Sequence, residues 1–194
     1  MRPARLLSAI ALLGLCVTPL AAQVPSVEWQ IAAAVLPLPD SMRGGAEVLG
    51  YRTAGGPLVQ LRAGTNPMIC LTDDPAVEGY AAHCYVATLA AFMQRGRALR
   101  AAGITKRSEV DSARMAEIRS GALLMPKSPA ALYSLYADSL NFDPIAGRPK
   151  GARTLISFYI PYATEESTGI SLQPSLDRPW LMYPGTPWAH LMIQ

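Results

Sequence analysis

The sequence has little of what marks the common enzyme and cofactor-binding classes. It contains no glycine-rich phosphate loop, dinucleotide fingerprint, Gly-x-Ser-x-Gly elbow, His-Glu-x-x-His pair or calcium loop, so none of those chemistries has a signature here and no cofactor is implied. Charged residues make up only 16% of the chain and the formal net charge is +3. No broad basic field is therefore offered to a polyanion such as nucleic acid. There are three cysteines and two histidines, so thiol or imidazole chemistry rests on a few positions. Beyond residue 22 no apolar run approaches the ~20 residues that a membrane helix requires.

What is present begins at the N-terminus. Arg2 and Arg5 precede an apolar stretch over residues 6–17, and the small residues Ala21 and Ala22 follow. That order predicts a secretory signal peptide over residues 1–22, cleaved after Ala22, with residues 23–194 as one exported domain. A lipid anchor on Cys16 is the weaker reading, because Leu15 stands where a small residue is wanted. Cleavage removes Arg2 and Arg5 and brings the formal charge to about +1. The exported domain is expected to carry no transmembrane anchor, and its compartment is periplasmic or extracellular. Cys70 and Cys84 are then the remaining cysteines, and an oxidising compartment pairs them. The short loop they close is worth about 3 kcal/mol in a chain-entropy account.

Periodicity and turn residues predict the elements. Val27, Ile31 and Val35 recur at helical spacing within residues 23–39, with a strand as the competing reading. Residues 46–52 and 57–62 flank Ala54-Gly55-Gly56 as a hairpin. Residues 68–71 form a short buried strand, broken by Thr72-Asp73-Asp74-Pro75. Tyr85, Leu89, Phe92, Met93, Gly96 and Leu99 trace one stripe of a long helix over residues 84–102, stopped by Gly103. Ser108-x-x-Asp111 resembles a capping box for a second, shorter helix that ends near Gly121. Residues 131–136 and 154–160 are aromatic-rich strand candidates, and residues 141–153 form a loop between them. The tail folds as short extended segments about Pro184-Gly185-Thr186-Pro187. Strands, helices, then strands again predict a single compact α+β domain, with a mainly antiparallel sheet packed against one long and one shorter helix.

Residues 68–75 (MICLTDDP), 83–100 (HCYVATLAAFMQRGRALR), 161–169 (PYATEESTG) and 179–193 (PWLMYPGTPWAHLMI) form a familiar set. On these stretches the chain resembles a family of small exported bacterial proteins of unassigned activity. The resemblance implies no substrate, cofactor or active site. It directs attention to His190, Glu165, Glu166 and the Asp73-Asp74 turn.

Each candidate for chemistry has an ordinary competitor. Cys84, placed at the start of the long helix with His83 or His190 as base, has the makings of a nucleophile; the competing and stronger reading is the structural bond to Cys70. Asp73, Asp74, Glu78, His83, Glu165, Glu166 and His190 include enough ligand types for a metal, but their spacing matches no metal motif, so none is expected. Glu165 or Glu166 with Asp73 or Asp74 is an acid–base pair only if the fold brings them together. Otherwise Asp73-Asp74-Pro75 is a turn and helix-start signal and Glu165-Glu166 a solvated loop. Arg95, Arg97, Arg100, Lys106 and Arg107 form a basic run that could meet an anionic surface such as lipid headgroups or polysaccharide; the stronger reading is the solvent face of a helix. Trp180, Tyr183 and Trp188 flank a rigid turn, where they either line a small-ligand groove or pack over the core, and packing is the stronger reading.

The expectation is an exported, non-catalytic domain that binds a small ligand, an envelope component or a protein partner. The alternative is a secreted hydrolase using Cys84 or a metal-bound water with His190 and an acidic residue. A structural subunit of an envelope assembly is a third reading. Convergence of His190 with the acidic residues in one cleft separates the hydrolase from the others.

Overall fold

The computed structural model describes residues 23–143 and 147–194. Residues 1–22, which hold Cys16 and are predicted to be removed as a signal peptide, lie outside the described residues.

Helix α1 (Val27–Ala34) opens the fold, with the Ser26 side chain accepting the Trp29 N–H as an N-cap. A single turn, α2 (Asp40–Arg43), leads into strand β1 (Glu47–Gly50), which pairs antiparallel with β2 (Val59–Arg62) as the predicted hairpin. Strand β3 (Met68–Leu71) returns to the other side of β1, and β1–β3 is parallel. Then come β4 (Tyr80–Val86), a 3-10 turn (Ala87–Leu89), and helices α3 (Ala90–Ala101) and α4 (Arg107–Arg119). Strand β5 (Ala130–Ala137), a two-strand finger of β6 (Phe142–Asp143) and β7 (Arg148–Pro149), and β8 (Arg153–Tyr159) follow. The chain closes with α5 (Glu165–Thr168), β9 (Trp180–Met182) and β10 (His190–Ile193). The main sheet has eight strands in the order β2-β1-β3-β4-β5-β8-β10-β9, antiparallel except at β1–β3. The expected α+β architecture with a mainly antiparallel sheet is thus present, and the loop predicted at 141–153 carries the short antiparallel pair β6–β7.

Strand alternation sends side chains to two covered faces. Val48, Cys70, Cys84 and Met68 pack with Ala34, Val35 and Leu38 under α1. Tyr80, Ala82 and Leu135 continue that layer with Ala33 and Trp29. On the other face Tyr85, Ala130, Leu132 and Tyr159 meet Leu89 and Phe92, with Met115 and Ile118 of α4 beside them. Cys70 and Cys84 are direct cross-strand partners and are joined by a disulfide.

Two boundaries differ from expectation. The long helix does not begin at Cys84; Tyr80–Val86 is a strand paired on both edges. Tyr85 fits the helical stripe of Leu89 and Phe92 because the last residue that the strand turns toward this layer packs in the same cluster. Cys84 therefore lacks the helix N-terminus that would have lowered its thiol pKa. The Ser108 capping box is also absent: α4 starts at Arg107, with Lys106 at the N-cap and no side-chain cap. The stop at Gly103 is as expected. At φ 91° it lets its own N–H reach the Arg100 carbonyl and the Ile104 N–H reach that of Leu99, a Schellman closure.

Candidate functional site

The structure separates the residues that sequence singled out. His190 on β10 pairs across the sheet with Tyr159, and Tyr159 with Ala130 at the start of β5. Asp73 follows β3 and accepts the Ala81 N–H at the start of β4, where β4 pairs with the far end of β5. In the strand order β3-β4-β5-β8-β10 the two sites are four spacings apart, about 19 Å across the sheet, and at opposite ends of the strands. Glu165 and Glu166 sit exposed in α5, a turn closed by a Thr164–Ser167 capping box rather than the expected irregular loop. Among the described residues no group of three His, Cys, Asp or Glu side chains could hold a metal ion.

His190 is only 8% exposed. Its Nδ1–H donates to the Trp188 carbonyl at 2.7 Å, and its ring stacks on Tyr159 at 4.8 Å. Burial pushes its pKa below the ordinary range, against the pull of that carbonyl and helped by Arg107. Trp188, 6% exposed, stacks on Phe92 at 5.9 Å, and Tyr183 meets its edge. The Arg107 guanidinium donates to the Tyr183 hydroxyl at 3.1 Å. Tyr162 and Tyr183 hold positive φ values of 65° and 52°, fixed by the Tyr162 N–H to the Thr186 carbonyl and the Gly185 N–H to that of Ala163. Trp180 on β9 is half-buried. These side chains lock the tail onto the core.

His83 lies on β4 with Nδ1 3.0 Å from the Ser134 hydroxyl and its ring against the edge of Tyr136. Burial lowers its pKa. Ser134 is buried, and among the described residues no carboxylate orients the imidazole, so the pair lacks both access and an orienting acid there. Asp73, 9% exposed, has its pKa pushed up to about 6 by burial, opposed by the Ala81 N–H and reinforced by Asp74. Asp74 forms the expected turn by accepting the Ala76 N–H at 2.9 Å, but a strand follows it, not a helix.

A concave site lies elsewhere, between α3 and the β1–β3 side of the sheet, with a volume of about 620 Å³, one of several hollows of similar size among the described residues. Its floor is Leu49 and Ile69, its outer wall Pro57 and Leu58 from the hairpin loop, and its inner wall one side of α3. That side carries Ala90, Gln94, Ala98 and Ala101 at helical spacing. The opposite stripe of α3 is filled by Phe92 and Leu99, and at Gly96 by the Arg114 guanidinium, which a Cβ would overlap. Methyl groups face the sheet where larger side chains would have closed the space, so half-buried Leu49 and Ile69 stay open to the groove.

Polar groups converge at the rim. Gln30, buried in α1, donates its amide N–H groups to the Pro25 and Tyr51 carbonyls and accepts the Tyr51 N–H at 2.9 Å. A Cβ on Gly50 would overlap the Gln30 amide oxygen, so the glycine permits this clamp. The clamp fixes Tyr51, whose phenol donates to Asp74 and has its pKa pushed up to about 12, chiefly by burial. Arg97 also faces the groove and donates to the Tyr85 hydroxyl at 3.4 Å. The arginine run predicted as a solvent face is thus divided: Arg95 pairs with Glu117 at 2.5 Å, whereas Arg97 turns into the groove. A second hollow, of about 450 Å³, lies between Leu124, Met125 and Tyr162, with Lys127 as its charged residue. The first groove alone of the two combines an apolar floor with charges of both signs.

Sequence reasoning named Asp74 and Arg97 but missed Tyr51, Tyr85 and the alanine row. The alanine spacing on a predicted helix was the available signal. No family model matches this chain, and no curated protein or solved structure proves similar to it.

Proposed function

We propose that this protein is a non-catalytic binding domain that acts outside the cytoplasm and takes one small, largely apolar ligand in the groove between α3 and β1–β3. The observation that carries the reading is the alanine-lined side of α3 standing over half-buried Leu49 and Ile69. Sites for small molecules are typically concave, mostly apolar and about 300–1,000 Å³, with a few placed polar groups, and a groove of about 620 Å³ with Tyr51, Asp74 and Arg97 at its rim fits that description. The non-catalytic part of the reading is supported by the dispersal of His190, Asp73, Glu165 and Glu166 and by the engagement of Cys84 in a disulfide. The placement outside the cytoplasm is supported by that disulfide and by the leader-like residues 1–22. Among the described residues no helix is long and apolar enough to cross a membrane.

The test is titration of the oxidised protein with N-phenyl-1-naphthylamine, an uncharged apolar fluorophore. Saturable uptake at one site per chain, competed by other short apolar molecules, is expected. Fluorescence that rises linearly without saturation overturns the reading.

A further inference from the structure

Resting on the groove reading above, we infer that the α3 end of the groove is an anion subsite, and that the ligand is an apolar chain ending in a carboxylate or phosphate held by Arg97 with the Tyr85 hydroxyl. Arg97 is half-buried, and among the described residues no acid pairs with it; its recorded bond is the 3.4 Å contact with Tyr85. A guanidinium has five N–H donors in a planar fork, so most of this one is unspent. Because the Tyr85 oxygen accepts from Arg97, its own hydrogen is free to donate to the same anion.

The acids of the groove are already engaged. Asp74 accepts from the Ala76 N–H and the Tyr51 phenol, and Glu47 accepts from Gln60 at 3.0 Å. The cations of the groove are not balanced in the same way. Among the described residues Arg100 donates to the Gly96 carbonyl and makes no ion pair, whereas Arg114, 8% exposed on the opposite stripe of α3, lies 4.0 Å over the Phe92 ring, donates to the Phe92 carbonyl and has Asp111 and Glu117 as acidic neighbours. Arg100 and Arg97 both depress the Arg114 pKa, after burial itself. The arginines of the groove, Arg97 and Arg100, therefore stand together at the end of the groove where α3 runs toward α4, and the floor leading away from them is Leu49, Ile69 and Leu58. Guanidinium forks pair most strongly with planar carboxylates and with phosphates. An amphipathic anion lies in this groove with its charge at Arg97 and its chain along the floor.

Competition against the bound neutral fluorophore tests this with decanoate, decyl phosphate and 1-decanol. The two anions are expected to bind at least tenfold more tightly than the alcohol, and added salt weakens only the anions. In the Arg97→Met protein both anions should bind no more tightly than the alcohol measured on that same variant, and Arg97→Lys should restore part of the difference. Tighter decanoate assigns a free fatty acid, and tighter decyl phosphate a lipid phosphate, both within the inference. Equal binding of decanol and the anions, or anion binding untouched by Arg97→Met, overturns the anion subsite and leaves the groove standing. Failure of the fluorophore and all of its competitors to bind overturns the groove itself.

Discussion

Helix α3 has two long sides, and they have opposite fates. One carries Phe92, Gly96 and Leu99 into a core where Phe92 stacks on Trp188 and packs edge-on to Tyr159, Tyr159 stacks on His190, and Arg114 fills the space above Gly96. The other carries Ala90, Ala98 and Ala101 over Leu49 and Ile69 and leaves them open. The residues that look most functional in isolation, a histidine and two tryptophans in a proline-rich tail, belong chiefly to the closed side or its margin. The concave site is made by lack of bulk along α3, with its polar groups supplied by Arg97 of α3 itself, by Tyr85 of β4, and by Tyr51 and Asp74 from the segments that follow β1 and β3.

The comparison is sharpest on the closed side. Trp188→Ala removes a buried ring from a close-packed cluster, and such truncations cost about 3–5 kcal/mol; chemical denaturation should show a loss of that order, with the fluorophore still bound wherever the protein remains folded. A loss under about 1 kcal/mol would mean that the tail aromatics are not core and would reopen them as ligand contacts.

Next in size is the bond between the two halves. Cys70 lies on the strand under the groove, Cys84 on the strand leading to α3. Replacing both with alanine is expected to cost about 3 kcal/mol, read as a lowered denaturation midpoint that dithiothreitol reproduces in the unmutated protein and does not lower further in the variant.

A smaller effect comes from the acid beside the groove. Asp73, ordinarily near 3.8, is raised to about 6 in the fold. A carboxyl raised on folding contributes stability that is complete below its unfolded pKa and lost as pH rises through the folded one. Asp73→Asn keeps an oxygen for the Ala81 N–H but carries no charge. Thermal melts should therefore show the variant equal to the parent near pH 3.5 and more stable by about 1–2 kcal/mol at pH 8. The histidines run the other way: His83 and His190, both lowered by burial, contribute stability present above about pH 6.5 and lost as pH falls below it. In the Asn variant the acid-side loss from the histidines should stand alone, and stability should fall monotonically from pH 7 to pH 5.

Much of the scaffold was legible in the sequence. Met68–Leu71 has turn residues on both sides, and the cores of β5 and β8 are enriched in aromatic residues and ended by loop residues, so strand propensity and punctuation agreed. The disulfide was legible because reading residues 1–22 as a leader sets Cys16 apart and leaves Cys70 and Cys84 as a pair. The start of α3 was not, because Tyr85 at the end of a strand stands four residues before Leu89 and extends its stripe by coincidence of spacing. The groove was hidden for a different reason. Its floor depends on the parallel pairing of β1 with β3, which places Leu49 opposite Leu71 and brings Ile69 alongside, and no local signal encodes that neighbour. Arg97 looked like one of a run of surface cations until the helix was placed, and then fell on the side facing Tyr51 and Tyr85.

The smallest expected change in stability belongs to the decisive variant. Ala98 is exposed on α3 and faces the groove, so Ala98→Trp fills the space without entering the core, and surface substitutions of this kind stay within about 0.5 kcal/mol. The measurement is the dissociation constant for N-phenyl-1-naphthylamine of Ala98→Trp beside that of the unmutated protein, at matched folded fraction. The account predicts a fold as stable as the parent and affinity lowered at least tenfold. Unchanged affinity in a folded Ala98→Trp protein would place the ligand somewhere other than the open side of α3.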